Sequence, residues 1–145
     1  MADCVDIVDV PATEVWSRLA ADASSVLIDV RTRAEWMFVG LPDISALNRR
    51  AWTIEWQSFP DGRVDPGFAE KLSTLLDETG VAKNAELFFL CRSGARSRSA
   101  AAAVAGVGYT RCRNVADGFE GPLDAAHRRG RVAGWKAAGL PWRQG

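Results

Sequence analysis

The chain has 145 residues, 48% of them hydrophobic, which suits a single domain spanning residues 1–145 around one real core. Eighteen Lys and Arg balance eighteen Asp and Glu, so the net charge is zero; that excludes the broad basic footprint of a protein that grips nucleic acid or an anionic membrane. Residues 1–6 carry neither a basic n-region nor a long apolar stretch, so no secretory signal or membrane span is expected and the cytoplasm is the expected location.

In chain order, residues 5–10 read as a buried parallel strand leading into a helix over Ala12–Ala21, with Pro11 suited to its first turn. Residues 26–30 repeat the pattern and lead into a helix over 32–38. Residues 40–66 mix Gly, Pro and Asp with Trp52, Trp56 and Phe59 and read as loop, apart from a short strand near 45–48. Over 67–79, Phe68, Leu72, Leu75 and Leu76 recur at helical spacing, and Gly80 stops that helix. Glu86–Leu90 is a short apolar strand, residues 97–105 an alanine-rich helix ended by Gly106 and Gly108, and 110–115 a last strand. Alternating strands and helices predict an α/β fold with an open parallel five-stranded sheet covered on both faces, and in such sheets sites lie at the carboxyl ends of the strands.

Cys91 falls at one of those ends, where a strand turns into a helix, and opens the stretch Cys91, Arg92, Ser93, Gly94, Ala95, Arg96, Ser97. The first turn of a helix has unpartnered N–H groups and partial positive charge, both of which favour a thiolate over a thiol. Gly94 permits the positive φ of a tight cradle, Ser93 and Ser97 can donate hydroxyl hydrogen bonds, and Arg92 or Arg96 can meet an anionic donor. Arg98, Arg111 and Arg113 are expected to add to the positive surroundings. A thiolate so held could attack a sulfane sulfur and keep the resulting persulfide. Cysteine phosphatases and arsenate reductases place an arginine after five intervening residues. Here Arg96 follows four and Arg98 six, with Ser97 between them, so the loop suits a single sulfur better than a phosphate.

The strand end Leu27-Ile28-Asp29-Val30-Arg31 with Glu35-Trp36, the loop from Cys91 to Ser97, and the ending Gly134-Trp135-Lys136-Ala137-Ala138-Gly139-Leu140-Pro141-Trp142 together resemble the single-domain rhodanese-like sulfurtransferase family. The resemblance implies a sulfurtransferase that takes sulfur from a small anionic donor such as thiosulfate, or from a related persulfide, and passes it to cyanide, a thiol or a protein, without a cofactor. It matches Cys91 to the nucleophile, Arg92 to Arg96 to the rest of the loop, and Asp29 and Arg31 to structural positions. Where members commonly carry Gly-His-Ile-Pro-Gly-Ala, this chain has Gly40-Leu41-Pro42-Asp43-Ile44-Ser45-Ala46, expected to form a similar turn and strand. A sulfur-relay or regulatory protein-binding module is the alternative from another class.

The remaining candidates favour bland roles. Asp29 and Arg31 read as a strand-end ion pair that fixes backbone. His127, beside Arg128 and Arg129, reads as exposed loop rather than a general base. Cys4, Cys91 and Cys112 are widely spaced with no CxxC pair, so neither a metal site nor a disulfide framework is expected; Cys4 or Cys112 could still accept sulfur or pair with Cys91. Of the six tryptophans, Trp16 reads as core beside Val15 and Leu19, while among Trp36, Trp52, Trp56, Trp135 and Trp142 one or two are expected at the pocket mouth and the rest in packing.

Overall fold

The computed structural model describes residues 7–58 and 61–144. Strand β1 (Val8–Val10) leads into helix α1 (Ala12–Ala21), β2 (Val26–Asp29) into α2 (Arg33–Phe38), and β5 (Glu86–Leu90) into α4 (Ala95–Ala105) before β6 (Arg111–Val115). Between them lie the short strands β3 (Leu41–Pro42) and β4 (Trp52–Thr53) and helix α3 (Phe68–Thr79); β7 (Trp142–Arg143) closes the chain against β3. Five strands form one parallel sheet in the order β1-β6-β5-β2-β4. The expected parallel α/β sheet is therefore present, with β5 at its centre.

All five residues of β5 are buried, as a central strand covered on both faces requires. Because side chains alternate across a strand, Leu87 and Phe89 pack with Val26, Ile28, Leu72 and Val104 under α3 and α4, while Phe88 and Leu90 pack with Val15, Leu19 and Phe119 under α1. Trp135, fully buried, joins the second core and donates its indole N–H to the Pro141 carbonyl at 2.7 Å. The alanines of α4 let it lie close: Ala100 and Ala101 have no exposed surface.

Three local expectations change. The strand expected at residues 45–48 is a 3-10 turn, Ser45–Leu47, because the Asp43 carboxylate accepts the Ser45 N–H at 3.0 Å and Asn48 then takes a left-handed φ of 59°. The fifth sheet strand is instead β4, whose Trp52 pairs with Ile28. Pro11 caps α1 from outside its first turn, and α4 begins two residues before Ser97 because Gly94 already turns the chain.

At the carboxyl end of β2, Asp29 and Arg31 are both fully buried. Asp29 accepts from the Arg31 backbone N–H (3.1 Å), Nε (3.0 Å) and Nη2 (2.6 Å), and Nη2 also donates to the Gly40 carbonyl at 2.7 Å. The guanidinium lies 4.2 Å from the centroid of Phe119. The pair thus joins β2, the start of β3 and the second core. Replacing Asp29 by Asn leaves a buried guanidinium without its counter-charge, and a loss of about 3–5 kcal/mol is expected in urea unfolding. A loss below about 1 kcal/mol would show that the pair is not what joins these elements.

Candidate functional site

The β5–α4 turn is organised by where its backbone carbonyls go. The Cys91 carbonyl accepts from Phe119 N–H at 2.8 Å, and the Arg92 carbonyl from Glu120 N–H at 2.9 Å and Gly121 N–H at 3.1 Å. These acceptors face the 118–121 segment, so the donor side of the turn is free to face the thiol. Gly94, at φ 115°, starts α4, a conformation that a residue with a Cβ rarely adopts. Cys91 Sγ receives the Gly94 N–H at 3.1 Å and the Ser97 hydroxyl at 3.2 Å, beside the N-terminus of α4. Cys91 is only 1% exposed.

Ser97 Oγ also lies within hydrogen-bond reach of the Asn114 Oδ1 and, at 3.2 Å, of the Gly94 carbonyl. One hydroxyl has one proton, so donation to Sγ competes with donation to these oxygens. Asn114 is held in turn by donating to the Asp9 carboxylate at 2.9 Å and to the Gly94 carbonyl at 3.2 Å. Asn114 therefore sets the direction of Ser97, and nothing near it in the sequence marks it, since it reaches the loop from β6 across 17 positions.

Cys91 opens onto a cavity of ≈ 740 Å³. Thr32, Ala34, Glu35, Phe38 and Val39 line it from α2 and its ends; Gln57, Ser58 and Gly62 from the following turn; Arg92, Ser93, Ala95 and Arg96 from the loop; and Glu120 and Arg129 from the far side. Glu120 and Arg129 have no signal of their own in the sequence, whereas Glu35 is marked there by the family resemblance and by its place three residues after Thr32, though its contact with Arg96 is not. Ser97 is fully buried beneath the loop, whereas Arg92 and Ser93 are exposed at its rim.

The Arg96 guanidinium is already occupied. Its Nη1 and Nη2 donate to the two oxygens of Glu35 at 2.8 and 2.9 Å, a bidentate pair. Glu35 Oε1 also accepts from the Thr32 N–H (3.1 Å) and hydroxyl (3.0 Å), completing a capping box on α2. Burial pushes the Glu35 carboxyl up, but hydrogen bonds and charge from Arg96, with the Thr32 donors, outweigh it and hold the carboxyl below its usual range. The Arg96 guanidinium is raised by its hydrogen bond to Glu35, against a smaller opposing effect of burial. One carboxylate thus ties α2 to the loop and cancels the charge expected to meet an anionic donor.

The other sequence candidates separate. Arg98 turns away to Asp9 and the Ile7 carbonyl. Arg111 and Arg113 gather on buried Glu86 at 3.6 and 3.1 Å, at the opposite end of β5, so they do not surround Cys91. Cys112 pairs in register with Leu87, about 13 Å short of Cys91 along the sheet, and burial pushes its thiol up to about 12. That separation exceeds disulfide reach, so pairing between them is excluded without rearrangement. Cys4 lies outside the described residues. His127 is exposed in a turn away from the cavity lining. None of the tryptophans lines the cavity: Trp16 stacks edge-on to Trp135 at 6.1 Å, Trp56 to Phe68 at 5.1 Å, and Trp142 to Phe119 at 6.2 Å. Among the described residues, the aromatic side chain at the mouth is Phe38, 75% exposed. Among the described residues there is no cluster of metal-ligating side chains, and no helix is long and apolar enough to cross a membrane.

Residues 8–145 match a family model described as the STR4 middle domain. The chain is similar to the crystal structure of Rv0390 from M. tuberculosis, with 42% identity, a TM-score of 0.85, and coverage of 97% of this chain and 100% of that one. It is 33% identical over 138 residues to an uncharacterized protein of Rickettsia rickettsii, the RP600 homolog, covering 95% of this chain and 98% of that one. It is 29% identical over 131 residues to the chloroplastic rhodanese-like domain-containing protein 4 of Arabidopsis thaliana, covering 90% of this chain and 24% of that one.

Two outcomes test this geometry. In Gly118→Ala, the added Cβ would meet the Cys91 carbonyl oxygen and lie 2.6 Å from the Arg92 carbonyl, at a φ of 64°; strain of about 1–3 kcal/mol should lower the urea midpoint, and an unchanged midpoint would mean the turn is not tightly braced. Because the Glu35 carboxyl is lowered on folding, its contribution to stability is present above its unfolded value and is lost as pH falls through the folded value. Carboxyl NMR should therefore find Glu35 titrating below the usual glutamate range, and Glu35→Gln should remove part of the acid-side loss of stability.

Proposed function

The chain belongs to the rhodanese-like proteins, in the family of the STR4 middle domain, and on that premise we propose that it is a sulfurtransferase working through a persulfide on Cys91. The observation that carries this reading is the cysteine thiol at the end of β5, held by the Gly94 N–H and the Ser97 hydroxyl and opening onto the cavity. The Cys91 thiolate attacks the outer sulfur of a sulfane donor, forming a new S–S bond as the donor's own sulfur–sulfur bond breaks. The donor remnant leaves with that electron pair; from thiosulfate it is sulfite. A second nucleophile, a thiol, cyanide or a protein thiol, then attacks the outer sulfur, and Cys91 leaves as thiolate. Two displacements on one cysteine give ping-pong kinetics.

The resting Sγ is stabilised by donors at the start of α4, and the outer sulfur of the persulfide extends toward the Arg92 and Ser93 rim. Phosphate chemistry fits this loop less well. Arg96 is clamped to Glu35, and Arg98 turns away to Asp9, so no arginine at the loop's end is free to hold a phosphoryl oxygen. Delivery of sulfur to a protein is favoured by one feature: Phe38, 75% exposed, lines the mouth and offers an apolar footing for a macromolecular acceptor.

Mass spectrometry after incubation with thiosulfate, and separately with a low-molecular-weight persulfide, tests the reading. The native chain should gain one sulfur that cyanide or a thiol removes, and Cys91→Ser should gain none. Equal gain by both proteins, or no gain by the native one, would overturn it. Ser97→Ala should slow sulfur loading by about tenfold, the effect of one hydrogen bond to an anion.

A further inference from the structure

A basic cavity stands apart from Cys91. Arg49, Arg50 and Arg143 line a space of ≈ 480 Å³ that shares no lining residue with the cavity over the thiol. Asp43 bends the chain here, Asn48 takes its left-handed φ, and two arginines follow ahead of buried Ala51; Arg143 is brought in by β7, where it pairs with Leu41 of β3. Independently of the chemistry at Cys91, we propose that this cavity binds a phosphate monoester with a flat apolar body.

The charge of the walls selects the head of the ligand. Half-buried Arg49 is anchored by its Nη1, which donates to the Ser25 carbonyl at 2.7 Å and lies 3.3 Å from the Asp22 carbonyl, so neutral groups fix the guanidinium in place without cancelling it. No ion pair ties Arg49, Arg50 or Arg143 to a carboxylate among the described residues. Asp43 is the one carboxylate of the lining, and the Ser45 hydroxyl and N–H hold it below its usual range, with a smaller pull from the charge of Arg143. Asp22 also feels Arg49, but it lies outside the lining and accepts from the Ser24 N–H and hydroxyl at 2.9 and 2.6 Å. Three guanidiniums against one carboxylate suit a ligand of about two negative charges, the charge of a phosphate monoester at neutral pH, and guanidinium forks match phosphate oxygens in geometry.

The space around that charge selects the body. A phosphate group of five heavy atoms fills about 150 Å³ at roughly 30 Å³ per water-sized group, well short of the ≈ 480 Å³ available. A second cavity of ≈ 450 Å³ adjoins the first at Ile44, Arg49 and Arg50, and its further walls include Val26, Trp52 and Val81. A ligand whose phosphate meets the arginines can therefore lay a ring or an apolar chain against Trp52. The protein's zero net charge and the small, walled space favour a small molecule over a nucleic acid.

Amide NMR of the full chain tests this with three probes: phenyl phosphate, inorganic phosphate and phenol. Phenyl phosphate should shift the amides of Asn48 to Trp52 and of Arg143, leave those of the Cys91 loop in place, and bind about tenfold more tightly than either of the others, since only it offers both charge and ring. Arg50→Gln and Arg143→Gln, neither of which breaks an ion pair, should each weaken phenyl phosphate by about three- to tenfold. Asp43→Asn keeps an acceptor for the Ser45 N–H and removes a repelling charge, so it should tighten binding by about threefold, a direction that loosening of the fold does not produce. Absence of shifts at these residues, equal affinity for phenyl phosphate and inorganic phosphate, or unchanged affinity in both arginine variants would overturn the inference. A single-stranded oligonucleotide that binds these residues more tightly than phenyl phosphate would overturn it in favour of an extended polyanion.

Discussion

The hydrogen bond from Phe119 N–H to the Cys91 carbonyl, together with those from Glu120 and Gly121 to the Arg92 carbonyl, is the constraint on which the site depends. A strand that turns into a helix must satisfy its last carbonyls somewhere. Here they are satisfied from behind by Phe119, Glu120 and Gly121, a segment the chain reaches only after α4 and β6. Carbonyls turned away leave amides turned inward, and the thiol meets donors rather than acceptors. Gly118 has to be glycine for the same reason: the two backbones approach too closely for a side chain. Trp135 N–H in turn binds the Gly118 carbonyl at 2.9 Å, so the fully buried tryptophan of the chain's ending braces the brace.

A second tie runs the other way, from the loop toward the cavity wall. Glu35 completes the Thr32 capping box of α2 and serves as the counter-ion of Arg96, so the wall and the loop share one carboxylate. The cost is electrostatic: an arginine inside the loop contributes little net field at the thiol. The gain is geometric, since a bidentate pair fixes distance and angle together.

Much of the frame is legible in the sequence because it depends on local rules. β5 matches its apolar run residue for residue, α3 ends at Gly80 in a left-handed cap at φ 84°, and Cys91 stands at the strand end where periodicity puts it. What is not legible depends on direction and distance. Arg111 and Arg113 follow the loop closely in sequence, yet β6 runs parallel to β5, so they arrive at the Glu86 end while Asn114, next in line, nears the thiol. Glu35 reaches Arg96 across 61 positions, and no local pattern announces that contact. The turn at 45–48 escapes for a smaller reason: Asp43 bends the backbone before apolar Ile44 can extend it.

The alternation of β5 carries one more consequence. Leu87 and Phe89 belong to the core beneath α3 and α4, Phe88 and Leu90 to the core beneath α1, and Cys91 follows directly on the strand. The thiol is therefore attached to the one segment that both halves of the interior share. It cannot be freed by the fraying of either half alone, and its amides belong with the slowest-exchanging, globally opening class. The cavity's other wall, Gln57, Ser58 and Gly62, is carried beyond a two-residue strand at the sheet edge. Reactive atom and entrance are thus held by elements of unlike depth, a five-residue central strand and a two-residue edge strand.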